Sequence, residues 1–419
     1  MELYSTVRKG GWLPSDHDVL RRWLDDLIAS VDGGGARTGE LKPSVAALQD
    51  LINTDPKIYM LFNDMLLQLS HRETPTGFPQ VKDVPTLMRL FNAAIQKAPE
   101  FDKSGLVGFP VNAILNWAMG TQAGFAAFLD DKVNAHLKAM LDEWSVYLKS
   151  PESTYVLDSE EGHWFSEDAL AALNKSAGGR FEDLYVCNPK DPHYGFTSWD
   201  DFFTREFKPD ARPVATDPKT IASAAESVPN RLAHNVQELN TFWLKGQPYA
   251  LDFLLDAAHR GPDEPAPGTF QGGTVYQAFL SALNYHRWHT PVDGTVVAVR
   301  NIPGTYYSQT PAALCDVAAP DLSQGYIAHL AARAVVYIRA TQPDVGLMGF
   351  VAIGMAEVSS CEVTVSPGQT VQRGDQLGSF HYGGSTHCLI FRPGVDLTFI
   401  PDVPGDANVY VNAPLATLK

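Results

Sequence analysis

Gly383-Gly384-Ser385-Thr386 runs out of a glycine-rich stretch and into Cys388-Leu389-Ile390-Phe391, so Ser385 falls where a loop meets a strand. Glycine on its N-terminal side leaves an unhindered carbonyl and permissive dihedrals, both useful to a hydroxyl that must attack its own preceding peptide. Gly-Ser-Thr is also common in ordinary turns, and Leu377-Gly378-Ser379 offers a second serine in a similar setting. Upstream, Tyr285-His286-Arg287-Trp288-His289 leads into Thr290-Pro291-Val292-Asp293-Gly294, which puts two histidines near a turn entering a strand. Such a pair can bind a metal, but no cysteine or glutamate with ligand spacing follows it; two satisfied core histidines are the bland alternative. A serine hydroxyl is a poor nucleophile until a base removes its proton, and an imidazole is the usual base.

The elements that must hold these residues fall into two textures. Over roughly the first 185 residues, apolar side chains recur at helical spacing. Examples are Val19, Leu20, Trp23, Leu24, Leu27 and Ile28, then Tyr59 to Leu69, Leu87 to Ile95, and Leu137, Met140, Leu141, Trp144 and Leu148. Gly33-Gly34-Gly35 and Pro43 punctuate them. Ser198, three residues before Asp201, reads as a helix N-cap. From about residue 270 the chain turns to short Val/Ile/Thr runs between Gly and Pro, as in Gly294 to Val299 and Cys361 to Val365. The expectation is an α+β protein with a helical N-terminal domain, 1–185, and a β-rich C-terminal domain, 186–419, that carries the serine and histidine segments.

Bulk composition excludes several roles. A length of 419 residues, 45% hydrophobic and 19% charged, supports a sizeable core in one or two domains. The formal charge of −16 argues against nucleic acid and against an anionic membrane surface. Cys187, Cys315, Cys361 and Cys388 form no CxxC pair and read as reduced thiols. Met1 to Ser5 lacks the start of a signal peptide, and no run approaches the roughly 20 apolar residues of a membrane helix. A soluble, cytoplasmic protein is expected.

Taken together, the serine and histidine segments resemble the processing site and histidine motif of the phosphatidylserine decarboxylase family. Phe202-Phe203-Thr204-Arg205-Glu206-Phe207-Lys208-Pro209-Asp210-Ala211-Arg212-Pro213 resembles its FFxRxLKPxxRP stretch, and Ile302-Pro303-Gly304 its VPG loop. The likeness covers about residues 195–400, with the motifs in the family's order. It implies that the chain cuts itself between Gly384 and Ser385 and turns Ser385 into a pyruvoyl cofactor. Substrate amine then forms a Schiff base with that carbonyl, which takes up electrons as CO2 leaves. By the same resemblance His289 is the base for Ser385 and His286 faces the substrate; with no ligand partner spaced for the histidines, no metal is expected. The family's third member is an aspartate followed by glycine; Glu226-Ser227 stands there instead, which leaves Glu226 and Asp293 as alternative partners of His289.

No lysine lies between Lys245 and Lys419. Pyridoxal phosphate, biotin and lipoate all attach to lysine, so the lipoyl-like pattern over Val363 to Phe380 cannot be a carrier arm. A carbonyl grown from the chain is what remains for amine chemistry there. The helical extension, the Tyr285 to His289 stretch and the Gly-Gly-Ser variant resemble the fungal L-tryptophan decarboxylases that branched from the family. That likeness implies a small aromatic L-amino acid as substrate, tryptophan first, with Tyr306, Tyr307 and Tyr382 as candidate pocket residues. A peripheral phosphatidylserine decarboxylase and an unprocessed, inactive scaffold are the alternatives. Oligomeric state is not legible in the sequence.

Overall fold

The computed structural model describes residues 17–32, 40–70, 74, 77, 79–101, 109–239, 249–310, 323–357, 360–382 and 385–419. Met1 to Ser5, Gly33 to Gly35, Cys315, Gly383 and Gly384, the residue expected before the cut, lie outside the described residues. Packing divides the chain into two units. One is formed by described residues of Met1–Leu170, Pro189–Phe202 and Gly304–Ser323; the other by those of Ala171–Asn188, Phe203–Pro303 and Gln324–Lys419. The helical unit therefore takes in two later stretches of chain, so the units interleave along the sequence.

The helical unit contains α1 (His17–Asp32), α2 (Pro43–Thr54), α3 (Pro56–Ser70), α4 (Val84–Ala94), α5 (Pro110–Met119), α6 (Gln122–Phe128) and α7 (Asp131–Leu148). Their starts are chemically marked. Asp83 accepts the Thr86 N–H at 2.7 Å, Thr121 the Gly124 N–H at 2.9 Å, and Asp130 the Lys132 N–H at 2.9 Å. Each satisfies one of the donors that a first helical turn leaves over. On α7, Val133, Leu137, Met140, Leu141, Trp144 and Leu148 are buried, the stripe that the spacing predicts. On α3 the stripe is Ile58, Phe62, Met65, Leu66 and Leu69, and Tyr59, Met60 and Leu67 on the other side are exposed. α5 is buried along Val111–Met119 on every side. Ser198 accepts the Asp201 N–H at 3.1 Å and caps the short helix Trp199–Phe203.

In the other unit lie β1 (Thr220–Ala222), β2 (Val228–His234), β3 (Thr274–Leu280), β4 (Arg287–His289), β5 (Gly294–Ile302), β6 (Arg333–Ala340) and β7 (Leu347–Gly354). They are followed by β8 (Ser360–Val363), β9 (Thr370–Val371), β10 (Gln376–His381), β11 (Ser385–Phe391), β12 (Leu397–Phe399) and β13 (Pro414–Leu418). A seven-stranded sheet runs β2-β3-β11-β7-β6-β5-β9, and two three-stranded sheets run β4-β10-β8 and β1-β13-β12. The pairings are antiparallel. β11 is an interior strand with all seven residues buried, which is why Cys388 to Phe391 reads as an unbroken apolar run. Trp288 of β4 lies between Phe350 of β7 at 5.3 Å and Phe380 of β10 at 5.5 Å, so these rings fill the layer between the two sheets. β structure begins about fifty residues earlier than the texture predicts, at Thr220. β2 escapes the pattern because Pro229, Asn230 and Arg231 break any Val/Ile run; it is an edge strand with a bulge at Pro229/Arg231, where proline is tolerated.

Candidate active site

Ser385 is the first residue of β11, paired with Leu280 on β3 and Gly354 on β7. It is fully buried, and its hydroxyl has no hydrogen-bond partner among the described residues. The neighbouring Thr386 hydroxyl, by contrast, donates to the Ala278 carbonyl at 2.9 Å and accepts from the Gln277 amide at 3.1 Å. The threonine anchors the strand and leaves the serine chemically uncommitted. Tyr382, just before Gly383-Gly384, has φ of 65°, a left-handed conformation rare for a residue with a side chain. The rival Ser379 sits in mid-strand, paired with Arg287 on one side and Glu362 on the other. The residue before it is equally confined: a Cβ on Gly378 would lie 2.1 Å from the Glu362 carbonyl oxygen.

His286 is fully buried and stacks on Phe203, with ring centroids 3.8 Å apart and planes 17° from parallel. Phe203 also lies 6.4 Å from the Tyr382 ring, so the histidine and the turn before Ser385 share one aromatic neighbour. His289 is partly buried and engaged at both ring nitrogens. A carbonyl can only accept, so Nδ1–H donates to Gly374 at 2.6 Å, and Nε2 accepts the Tyr285 hydroxyl at 2.9 Å. The ring is thus a neutral tautomer with its basic nitrogen at Nε2. Desolvation holds its pKa below the ordinary histidine value, against the opposing pull of the Gly374 carbonyl.

Neither carboxylate foreseen as an orienter bonds to His289. Glu226, fully buried, takes the Arg212 Nε–H on Oε1 at 2.5 Å, and its Oε2 has no hydrogen-bond partner among the described residues. Burial raises its pKa, with Arg212 and Arg205 working in the opposite direction. Asp293 accepts the Arg373 N–H at 2.7 Å instead. The backbone carbonyl of Glu226 accepts from the Asn284 side chain at 3.0 Å, two residues before His286.

The arginine-bearing segment explains how the histidine strand is held. Arg205, 2% exposed, donates to the carbonyls of Leu283 and Asn284 at 2.8 and 3.0 Å and lies over the Tyr185 ring. Arg287 reaches the Thr204 carbonyl at 2.7 Å and the Gln376 side chain at 2.8 Å. Arg212 also donates to the Ala177 carbonyl at 2.7 Å and packs over Phe207 and Tyr410. Sequence spacing alone could not show that Arg212 is the partner of Glu226. Of the three tyrosines, Tyr382 adjoins Ser385 in sequence and is buried in the same unit. Tyr306 and Tyr307 belong to the helical unit, where the Tyr306 N–H donates to Asn134 at 3.2 Å and Tyr307 meets Phe128 edge-on.

Chemically, this is an uncommitted, buried serine at the start of an interior strand, with the imidazoles of His286 and His289 in the same unit. Among the described residues, no helix is long and apolar enough to cross a membrane. Two family models, each described as phosphatidylserine decarboxylase, match residues 42–173 and 199–415. Decarboxylase iboD of Amanita muscaria is 42% identical over 327 residues, 74% of this chain and 91% of its own. The L-tryptophan decarboxylases of Psilocybe cyanescens and Psilocybe cubensis are 38% and 35% identical, over 92% and 99% of this chain and 88% and 95% of theirs. With relatives matched along almost its whole length and a family model spanning its β-rich part, this chain belongs to the phosphatidylserine decarboxylase family and is a carboxy-lyase.

Proposed function

We propose that the chain cuts itself between Gly384 and Ser385, converts Ser385 into a pyruvoyl group, and decarboxylates an aromatic L-amino acid, L-tryptophan foremost. The observation that carries the self-processing is Ser385 itself: fully buried, without a hydrogen-bond partner at Oγ among the described residues, and placed at the start of an interior strand. What carries the substrate is the alignment with two L-tryptophan decarboxylases over 92% and 99% of this chain, helical unit included.

In the first reaction Ser385 Oγ attacks the Gly384 carbonyl carbon and gives up its proton to His289. The Gly384–Ser385 C–N bond breaks, and an ester replaces the amide. Loss of the ester from the serine side chain and hydrolysis of what remains release ammonia and leave the new carbonyl at position 385. His289 suits the task because a base must be neutral, and burial keeps it so at physiological pH. Glu226 acts at one remove: with Arg212 and Asn284 it fixes the segment that carries both histidines. The residues fit a pyruvoyl group, since a hydroxyl with no competing hydrogen bond is free to react. That group supplies a ketone conjugated to an amide, an electron sink for the pair released as CO2 departs. His286, held flat against Phe203, is the proton donor to the substrate's α-carbon, and Tyr382 borders the substrate.

The test is mass spectrometry of amine products from purified protein given L-tryptophan, L-phenylalanine, L-tyrosine and phosphatidylserine vesicles together. Tryptamine or another aromatic amine is expected. Phosphatidylethanolamine as the sole product would replace the substrate class and leave the cleavage chemistry standing. No product, with one uncut 45.8 kDa chain, would mean an inactive scaffold.

A further inference from the structure

Side chains alternate between the two faces along a strand, so Ser385, His387 and Leu389 share one face of the seven-stranded sheet. His387 is the next residue along that face from the reacting serine, a step of roughly 6.6 Å. The residues directly paired with it are Ala278 and Ala352, and those paired with Ser385 are Leu280 and Gly354. Small residues thus flank His387 on both sides and Ser385 on the β7 side, with larger rings one register beyond His387. There Phe350 lies nearly parallel to the imidazole at 5.8 Å, and Tyr276 meets it edge-on at 6.1 Å.

His387 is fully buried, and neither Nδ1 nor Nε2 has a hydrogen-bond partner among the described residues. A buried polar ring without partners costs stability that leucine or phenylalanine at the same position would not. The Tyr276 hydroxyl and the Trp288 indole N–H are likewise buried without partners among the described residues. This set is rich in donors, and on β3, β7 and β11 the Ser385 face carries no lysine or arginine. Desolvation holds the His387 pKa down to about 3, so the ring is an uncharged donor at working pH.

We propose that His387 is the hydrogen-bond donor that receives the substrate's carboxylate beside Ser385. The proposal deepens the amino-acid decarboxylase reading and rests on it. A carboxylate is an acceptor-only group and matches a neutral N–H. The charge of that carboxylate disappears as CO2 forms. A neutral donor orients it without the extra ground-state stabilisation that a cation would give and that the transition state would lose.

The experiment is calorimetric binding of two amine-chemistry halves of tryptophan to the self-cleaved protein. Indole-3-propionate carries the carboxylate without the amine; tryptamine carries the amine without the carboxylate. In His387→Leu the acid should bind about tenfold or more weakly, the loss expected for one buried hydrogen bond, and tryptamine unchanged. His387→Gln, which keeps a donor, should recover part of the affinity, and release of the small fragment should proceed in both variants. If the leucine variant fails to cut itself, the glutamine variant and wild type carry the comparison, with the acid alone weakened. Equal binding of the acid to wild type and variant, or equal loss of both ligands, overturns the assignment. If wild type converts tryptophan while the variant binds the acid unchanged, only the role of His387 falls. If wild type binds neither ligand and makes no aromatic amine, the substrate reading falls and takes this assignment with it.

Discussion

The two motif histidines sit in different company, and their roles follow from it. His286 has an aromatic floor, whereas His289 has a carbonyl on Nδ1 and a phenol on Nε2. For His289 to take a proton from Ser385, the Tyr285 hydroxyl must give up Nε2. Tyr285→Phe should therefore cut itself at least as fast as wild type, while His289→Gln should slow the cut by about 100-fold or more, as seen on denaturing gels over time. His387 makes a second, thermodynamic prediction. Its folded pKa of about 3 lies below the ordinary 6.5, so the unfolded chain binds the extra proton first as pH falls. Stability from this group is full above pH 6.5 and drains away toward pH 3. Between pH 6.5 and 4.5 the loss is about 2–3 kcal/mol. His387→Leu should flatten that slope in denaturant unfolding. Glu226, raised by burial, contributes with the opposite sign in both proteins and so cancels in the difference.

At the scale of elements, the histidine strand β4 is fixed from three sides: Arg205 below its turn, Arg287 on Thr204 and Gln376, and Trp288 wedged between Phe350 and Phe380. Trp288→Ala should cost about 3–5 kcal/mol through the cavity it leaves, measured by denaturant midpoint. Helix periodicity was legible because α7 and α4 each bury a single stripe and start at a capping aspartate. β11 was legible because burial on both faces demands a continuous apolar run. β2 was not, since its membership comes from pairing with β3 rather than from its own composition. The Glu226–Arg212 pair was hidden for a related reason: two residues fourteen apart meet through tertiary packing, which spacing does not encode. Nothing in the type of His387 sets it apart from its strand neighbours in the sequence. The available signal was its place two residues after the serine, on the same side of the strand.

For the molecule as a whole, the proposed cut would leave β11, β12 and β13 on a fragment of residues 385–419 and every other strand on the larger one. β11 is bonded along its length to β3 and β7, and β13 to β1 and β12. The small fragment would thus supply an interior strand of the main sheet. The two pieces should co-elute in native size-exclusion chromatography and separate only under denaturant. The most direct measurement is denaturing mass spectrometry of the purified protein beside Ser385→Ala and Ser379→Ala. Wild type and Ser379→Ala should yield a fragment ending at Lys419 and starting at residue 385, lighter by one ammonia than the serine-terminated peptide. Ser385→Ala should remain one uncut chain. An uncut wild type, or a fragment that begins at residue 379, would rule out processing at Ser385.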